Sequence, residues 1–316
     1  MKAVTQSLET RKRMLSKVLP LLGLIALTLV FTLITGGRFL AGNNMQVLLN
    51  QAFNVLVAGI GATFVYAHGG MDLSIAGLAG ACMCLLAFLL TRVHWVIALL
   101  ATVVLGMFSG FATSGISIGL NIPAFIVSIC VNNIWRGVVL TITAQEWLEA
   151  PAYFLAFDNW IVKITVLVVL IAVGYYMFDF TRIGKDMKAI GGNANVAELS
   201  GVRVTRQKTL AYVIMGIFTA FAAFFSLARV GVASSTSGNG LDMDVLIALL
   251  LGGLPLTGGA GSRMSCAVVG AFSLAVLGNG LLLCGVTPNA VDGVKGAVLI
   301  FTVFATMRKN RGQVVV

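Results

Sequence analysis

The chain has 316 residues, of which 59% are hydrophobic and only 10% are charged, and its mean hydropathy is +0.99. A soluble domain would carry about a quarter charged residues. The composition therefore excludes a soluble globular protein and predicts an all-α, polytopic integral membrane protein.

The net charge of +10 is concentrated in three clusters, which hold 14 of the 21 Lys and Arg residues. Loops rich in Lys and Arg stay on the cytoplasmic side during membrane insertion, so this charge indicates orientation rather than a nucleic-acid partner. The clusters are Lys2, Arg11, Lys12, Arg13 and Lys17; Arg182, Lys185, Lys188, Arg203, Arg206 and Lys208; and Arg308, Lys309 and Arg311.

Apolar windows long enough to cross a bilayer recur along the chain, since a hydrocarbon core about 30 Å thick needs roughly 20 residues of helix. The loop 144–159 contains Asp and Glu but no Lys or Arg, which is typical of an outside loop. We expect one transmembrane domain over 1–316 with about ten helices, and with 1–17, 181–208 and 308–316 in the cytoplasm. The predicted spans lie near 18–36, 47–67, 71–91, 94–119, 123–143, 160–180, 209–228, 244–260, 264–285 and 289–307.

The window 244–260 has an alternative, because its second half is rich in residues that break helices. A half-span or re-entrant turn would need to be buried in protein or to line a cavity. The segment GGMDLS at 69–74 also resembles GGLPLT at 252–257. An internal repeat of the kind that marks a transport path and coincidence in a glycine-rich chain both remain open. The breaking residues are Gly252, Gly253, Pro255, Gly258, Gly259 and Gly261.

The cytoplasmic loop 181–208 contains a short predicted helix. Asn193 is suited to cap a helix over residues 194–200, and Gly201 is suited to end it in a left-handed conformation. About two turns of helix are unstable alone, so we expect this helix to dock against another molecule. The alternative is a solvated basic loop that only fixes orientation.

Motifs for catalysis are absent from the sequence. It contains no G-x-x-x-x-G-K-[ST] phosphate loop and no G-x-S-x-G elbow, and His68 and His94 are isolated. The sequence predicts no catalytic residues, no metal site and no cofactor in this chain. If transport is driven by ATP, another subunit must bind the nucleotide.

Three blocks occur in order along the chain: GGMDLS at 69–74, AIGGNANVAELSG at 189–201 and LGGLPLTGGAGS at 251–262, the last followed by GNGL at 278–281. Their order and spacing resemble the membrane permease subunits of ribose-type bacterial ABC importers. The resemblance extends over about residues 43–303. It implies a non-catalytic permease in the bacterial inner membrane, with both termini cytoplasmic, that conducts a monosaccharide or related solute.

The resemblance also implies partners. They are a tandem-domain ABC ATPase that binds ATP and Mg, a periplasmic sugar-binding protein, a second permease copy or paralogue, and membrane lipid. It implies ATPase coupling through the loop residues Gly192, Asn193, Ala197, Glu198, Leu199, Ser200 and Gly201.

Polar residues inside the predicted spans are candidates for the translocation pathway. Asp72, with Ser74 nearby, is either a functional carboxylate or an N-cap that stabilises a helix terminus. Asn132, Asn133 and Arg136 lie within about one turn, and Arg136 either faces a polar path or extends to the outer surface.

Other polar residues have structural explanations of equal weight. Asn50, Gln51, Asn54 and Asn279 are suited to interhelical hydrogen bonds as well as to sugar contacts. Thr287 and Pro288 are typical of a helix start, and Asp292 and Lys295 are spaced as an ion pair.

The leading functional prediction is the permease of a sugar ABC importer. Two alternatives stay open. One is an ABC permease for nucleosides or branched-chain amino acids. The other is a secondary transporter driven by an ion gradient, for which Asp72, Asp242 and Asp244 would be the candidate carriers.

Overall fold

The structure is a computed structural model that describes residues 19–144 and 146–310, with side chains to residue 304. Twelve α-helices account for most of the described chain. They are α1 Leu19–Ile34, α2 Gly42–Ala67, α3 Ile75–Leu90, α4 Trp95–Gly119, α5 Ala124–Ile142, α6 Trp160–Tyr175, α7 Arg182–Gly192, α8 Ala194–Leu199, α9 Val204–Val230, α10 Leu241–Leu251, α11 Ser265–Leu283 and α12 Pro288–Asn310. The basic residues at 2–17 and Arg311 lie outside the described residues.

Short irregular elements join the helices. Short 3₁₀ helices cover Arg38–Leu40 and Ala152–Asp158, and a π-helical turn, Tyr176–Phe180, extends α6. Two two-residue strands, β1 Leu148–Glu149 and β2 Val232–Ala233, pair antiparallel. The pair ties the loop after α5 to the end of α9, and the all-α prediction is confirmed apart from these four residues.

Six helices are long and apolar enough to cross a membrane. Their lengths follow from the apolar windows, because a backbone in hydrocarbon must satisfy its hydrogen bonds within the helix. The apolar helices α1 and α3 are shorter, at 19–34 and 75–90. The described chain is therefore polytopic, and ten crossings stay a prediction. The six long spans are Gly42–Ala67, Trp95–Gly119, Ala124–Ile142, Trp160–Phe180, Val204–Val230 and Ser265–Leu283.

The predicted full span at 244–260 is wrong in its second half. Helix α10 begins at Leu241 and ends at Leu251, and residues 252–264 form turns in which Gly253, Gly258 and Gly259 adopt positive φ. Glycine adopts such angles without the steric cost that other residues meet. The broken alternative that the sequence left open is the one observed.

Helices α2 and α9 form the centre of the bundle, and both are largely buried, whereas α4, α5 and α6 expose much of their apolar surface. Gly106 of α4 packs against the backbone at Gly216 of α9, so closely that neither position has room for a side chain. Small residues let helix backbones approach in this way where no hydrophobic effect drives association. The glycine-rich composition thus serves close helix packing.

Candidate functional site

Helix α8 has the predicted caps. The side-chain oxygen of Asn193 accepts hydrogen bonds from the backbone N–H groups of Asn195, at 3.0 Å, and Val196, at 3.1 Å. Gly201 follows the helix with φ +88°, and the N–H of Val202 donates to the carbonyl oxygen of Ala197 at 3.0 Å. The capped helix at 194–200 is therefore confirmed to within one residue.

The outer face of α8 exposes apolar side chains. Leu199 is 89% exposed and Val196 is 58% exposed, while Ala197 is buried against the rest of the chain. Glu198 and Ser200 are also exposed. These large apolar side chains contribute little to packing within the chain, so the prediction that α8 docks against another molecule stays open.

Helix α7, which the sequence analysis treated as loop, holds α8 in position. Lys188 of α7 forms a 2.6 Å ion pair with Asp179, and its ammonium group lies 4.3 Å from the ring centre of Phe178. The side-chain amide of Gln207, on α9, donates to Asp186 at 2.7 Å. The segment 182–199 is thus fastened to the ends of both flanking helices.

The break between α2 and α3 buries Asp72 completely. Its Oδ1 accepts a 2.6 Å hydrogen bond from the backbone N–H of Ser74, which is itself the N-cap position of α3. The N-cap alternative for Asp72 is therefore wrong, and its functional role stays a prediction. The carboxylate braces the turn that leads into the helix and does not bond to first-turn amides.

Several buried polar atoms near this break have no hydrogen-bond partner among residues 19–144 and 146–310. His68 and Tyr212 lie close together, with ring centres 5.8 Å apart. Because buried polar groups are normally hydrogen-bonded, four such atoms in one place make this region a candidate site. The atoms are Tyr66 Oη, His68 Nε2, Asp72 Oδ2 and Tyr212 Oη.

Three of the cavities that adjoin the bundle core bear on the candidate site. One, of about 580 Å³, lies between the α2–α3 break, the α4–α5 turn and the start of α9, and includes His68, Asn121, Lys208 and Tyr212. It will be called the inner cavity, because its walls lie at the helix ends that are predicted to face the cytoplasm. A second, of about 260 Å³, is lined by polar residues of α2, α9 and the loop before α10. A third, of about 220 Å³, adjoins it.

The second cavity will be called the outer cavity. Its polar lining consists of Gln51, Asn54, Ser226, Arg229, Thr236, Asn239 and Asp244. The third shares Gln51, Val55 and Asp244 with it and adds Asp292 and Lys295. The sequence analysis singled out Gln51 and Asn54 but missed Arg229, which lies at the end of α9 in an apolar window.

None of the six predicted pathway residues lines these three cavities. Their role in transport stays a prediction, and the structure places most of them in contacts between segments. Asn132 accepts a 2.7 Å hydrogen bond from the N–H of Gly77, while Asn133 is exposed. Asn279 accepts from the side chain of Asn44 at 2.8 Å. Asp72 and Ser74 form the break already described.

Arg136 bonds to backbone rather than extending freely to the surface. Its guanidinium donates to the carbonyl oxygens of Ser237, at 2.9 Å, and Ser235, at 3.0 Å. Both belong to the loop between β2 and α10, which also supplies Thr236 and Asn239 to the outer cavity. Arg136 therefore holds one wall of that cavity.

Lys295 of α12 forms ion pairs at this end of the bundle, one within its own helix and one with α10. Lys295 pairs with Asp244 at 2.8 Å and with Asp292 at 3.4 Å. The predicted pairing of Lys295 with Asp292 and the helix start at Pro288 are confirmed. Asp244, a candidate ion carrier in the secondary-transport alternative, is thereby engaged by a lysine. Within the described residues, no three His, Cys, Asp or Glu side chains are grouped as a metal site would need.

Comparison with known proteins gives a consistent result. Residues 44–303 match the family model described as branched-chain amino acid transport system / permease component. The chain is 28% identical to the ribose import permease protein RbsC of Escherichia coli (strain K12), over 306 residues that cover 92% of this chain and 93% of the relative. No solved structure matches.

Two other relatives transport different solutes. The xylose transport system permease protein XylH of Escherichia coli (strain K12) is 28% identical over 359 residues, covering 91% of each chain. The autoinducer 2 import system permease protein LsrC of Photorhabdus luminescens is 27% identical over 291 residues, covering 88% of this chain and 86% of the relative. The resemblance seen in the sequence blocks is confirmed. With the family model matched over residues 44–303, the chain belongs to the branched-chain amino acid transport system / permease component family and is a multi-pass membrane permease subunit.

Proposed function

We propose that this chain is the membrane permease subunit of an ATP-driven ABC importer that conducts a monosaccharide or a closely related solute into the cytoplasm. The observation that carries the proposal is the similarity, over nine-tenths of the chain, to permeases named for ribose and xylose. In this proposal the chain itself is non-catalytic. ATP and Mg are bound by a separate tandem-domain ATPase.

The exposed face of α8 supports the proposed ATPase contact. Leu199 and Val196 project outward from a helix that is capped at both ends and fastened through α7 to the bundle. In the proposal, residues 192–201 dock on the ATPase. Both termini then lie in the cytoplasm with α8, as the basic clusters favour.

The lining of the outer cavity supports the proposal that the solute is rich in hydroxyl groups. Its lining offers amide, hydroxyl and charged groups, which can donate and accept the hydrogen bonds that a sugar presents. Its small volume favours weak, transient contact, which suits a pathway whose selectivity resides in a soluble binding protein. A periplasmic sugar-binding protein and a second permease copy or paralogue complete the proposed assembly.

A direct test is purification of the tagged chain from native membranes, followed by identification of co-purifying proteins and by uptake assays in proteoliposomes. We expect a tandem ATPase to co-purify. In vesicles whose ATPase faces the interior, uptake of labelled ribose or xylose should require ATP inside the vesicle. ATP-independent uptake that an uncoupler abolishes would contradict the proposal and indicate secondary transport.

The family description favours a second candidate substrate class, the branched-chain amino acids. The same proteoliposomes distinguish the two classes when labelled ribose and labelled leucine are supplied in parallel with the co-purified binding protein. ATP-dependent leucine uptake without sugar uptake would establish the second candidate and leave the ABC assignment intact.

A further inference from the structure

Three chain segments that are far apart in sequence meet at one point. They are the end of α2, the end of α7 and the irregular stretch after α10. The backbone N–H of Gly259 donates a 2.8 Å hydrogen bond to the carbonyl oxygen of Ala67, the last residue of α2. Gly191, near the end of α7, lies against both of these residues. We call Ala67, Gly191, Gly258 and Gly259 the glycine junction.

The contacts at the glycine junction leave no room for side chains. A methyl group on Gly191 would overlap the carbonyl oxygen of Ala67 and the backbone nitrogen of Gly259. One on Gly258 would overlap Ala67 and come within 2.6 Å of the backbone nitrogen of Gly69. Backbone therefore packs directly on backbone, and such a contact has little freedom to slide because interiors resist both gaps and overlap.

One side of the glycine junction leads directly to α8. Helix α7 ends at Gly192, and Asn193, the cap of α8, is the next residue. No flexible linker separates the two helices. A displacement of the exposed face of α8 therefore reaches Gly191 within a few residues of backbone.

The other side of the glycine junction leads to the outer cavity by two routes. Helix α2 carries Gln51 and Asn54 into that cavity, and Asn54 lies 13 residues, or about 20 Å of helix at 1.5 Å per residue, from Ala67. The stretch after α10 continues from the helix that carries Asp244 into the same cavity. Both elements that meet α7 thus contribute polar lining to the outer cavity, α2 from its first half and α10 from its first turn.

We propose that the glycine junction is the mechanical connection between the ATPase-facing helix α8 and the outer cavity, with Gly191 as its positioning residue. This inference rests on the proposed function, because it requires α8 to receive the ATPase movement. Rigid contact at the junction moves α2 and the stretch 252–264 together when α8 moves. Two sites are coupled when both of them bias an element that has two arrangements. In this proposal the sites are the exposed face of α8 and the outer cavity, and the element is α2 together with the stretch 252–264.

The test uses the complete permease, ATPase and binding-protein assembly in proteoliposomes and measures solute imported per ATP hydrolysed. We expect Gly191→Ala to keep ATP hydrolysis while the import ratio falls about fivefold or more, the size of a typical coupling effect. Gly119→Ala is the matched control. Gly119 ends α4 and has nothing within 4 Å of an added methyl group. The import ratio of Gly119→Ala should therefore equal that of the wild type.

An unchanged import ratio in assembled Gly191→Ala would overturn the inference and leave the proposed function standing. A wild-type assembly that imports solute without hydrolysing ATP would instead contradict the proposed function. The two failures are therefore distinguishable.

If Gly191→Ala does not assemble, hydrogen exchange on the wild type decides the question. The Gly259 amide should exchange slowly both without nucleotide and with ATP and vanadate, because the junction is expected to move as one body. Faster exchange of this amide in either state would show that the contact opens during the cycle and would overturn the inference.

Discussion

The ammonium group of Lys163 on α6 donates a 2.6 Å hydrogen bond to Oδ1 of Asn50 on α2. Lys163 is only 2% exposed, although it lies near the start of an apolar span, and it also pairs with Asp158 in the preceding turn. A lysine buried among helices needs such partners, because an uncompensated charge away from water is costly. The pair therefore fixes α6 against α2 at the end where the outer cavity lies.

We expect Lys163→Met to destabilise the protein by about 1.5–3 kcal/mol, the usual worth of hydrogen bonds to a charged group, because Asn50 and Asp158 lose their partner. The measurement is thermal unfolding of the detergent-solubilised protein. Lys185→Met is the control, since Lys185 lies on the exposed side of α7 and its loss should leave the midpoint unchanged. Equal midpoints for the two variants would contradict this role of Lys163.

Leu199→Gln tests the proposed ATPase contact. Burial of a leucine side chain on docking is worth about 1.5–3 kcal/mol, so we expect ATPase affinity to fall roughly 10- to 100-fold. Because Leu199 is 89% exposed in the permease alone, the fold itself should be unaffected. Leu120→Gln changes another exposed leucine, at the end of α4, and should bind the ATPase normally. Full ATPase recovery with Leu199→Gln would exclude docking through this residue.

Asn193→Ala removes the cap of α8 without touching its exposed face. Loss of a side-chain cap costs about 1 kcal/mol, which corresponds to roughly a fivefold loss in ATPase affinity if α8 must be helical to dock. Asn193→Ser keeps an oxygen acceptor and should restore most of the affinity. Titration of the ATPase against each variant measures the difference. If the serine and alanine variants bind alike, the cap does not matter for docking.

Arg136→Leu should loosen the loop between β2 and α10. The two hydrogen bonds to Ser235 and Ser237 hold that loop, and each bond to a charged donor is worth about 1.5–3 kcal/mol. We expect faster hydrogen exchange across residues 232–240 and a lower import rate. Arg136→Lys keeps the charge but lacks the planar guanidinium that reaches both carbonyl oxygens. Hydrogen exchange across residues 232–240 in this variant should therefore lie between the wild type and Arg136→Leu. Wild-type exchange and import in Arg136→Leu would show that the loop is held by other contacts.

The sequence by itself determined where the six long apolar helices lie, because long apolar windows can only satisfy their backbone hydrogen bonds as helices in hydrocarbon. It also determined the cap of α8, since Asn193 and Gly201 act on the residues next to them. The glycine and proline residues after Leu251 left a broken helix open only as an alternative to a full span, and the structure has the break. Helix α7 was missed because it is short and polar, which gives no apolar window.

Only the tertiary structure decided which polar residues meet. The two partners are far apart in sequence in the pair Asn50–Lys163 and in the pair Asp244–Lys295. Sequence spacing does not show how one helix is rotated against another. Tilt and rotation are set by packing against neighbouring helices. The same applies to the glycine junction, where Gly191 and Gly259 look like any other glycines in the chain. Their role follows from close approach of three backbones, which only the assembled bundle creates.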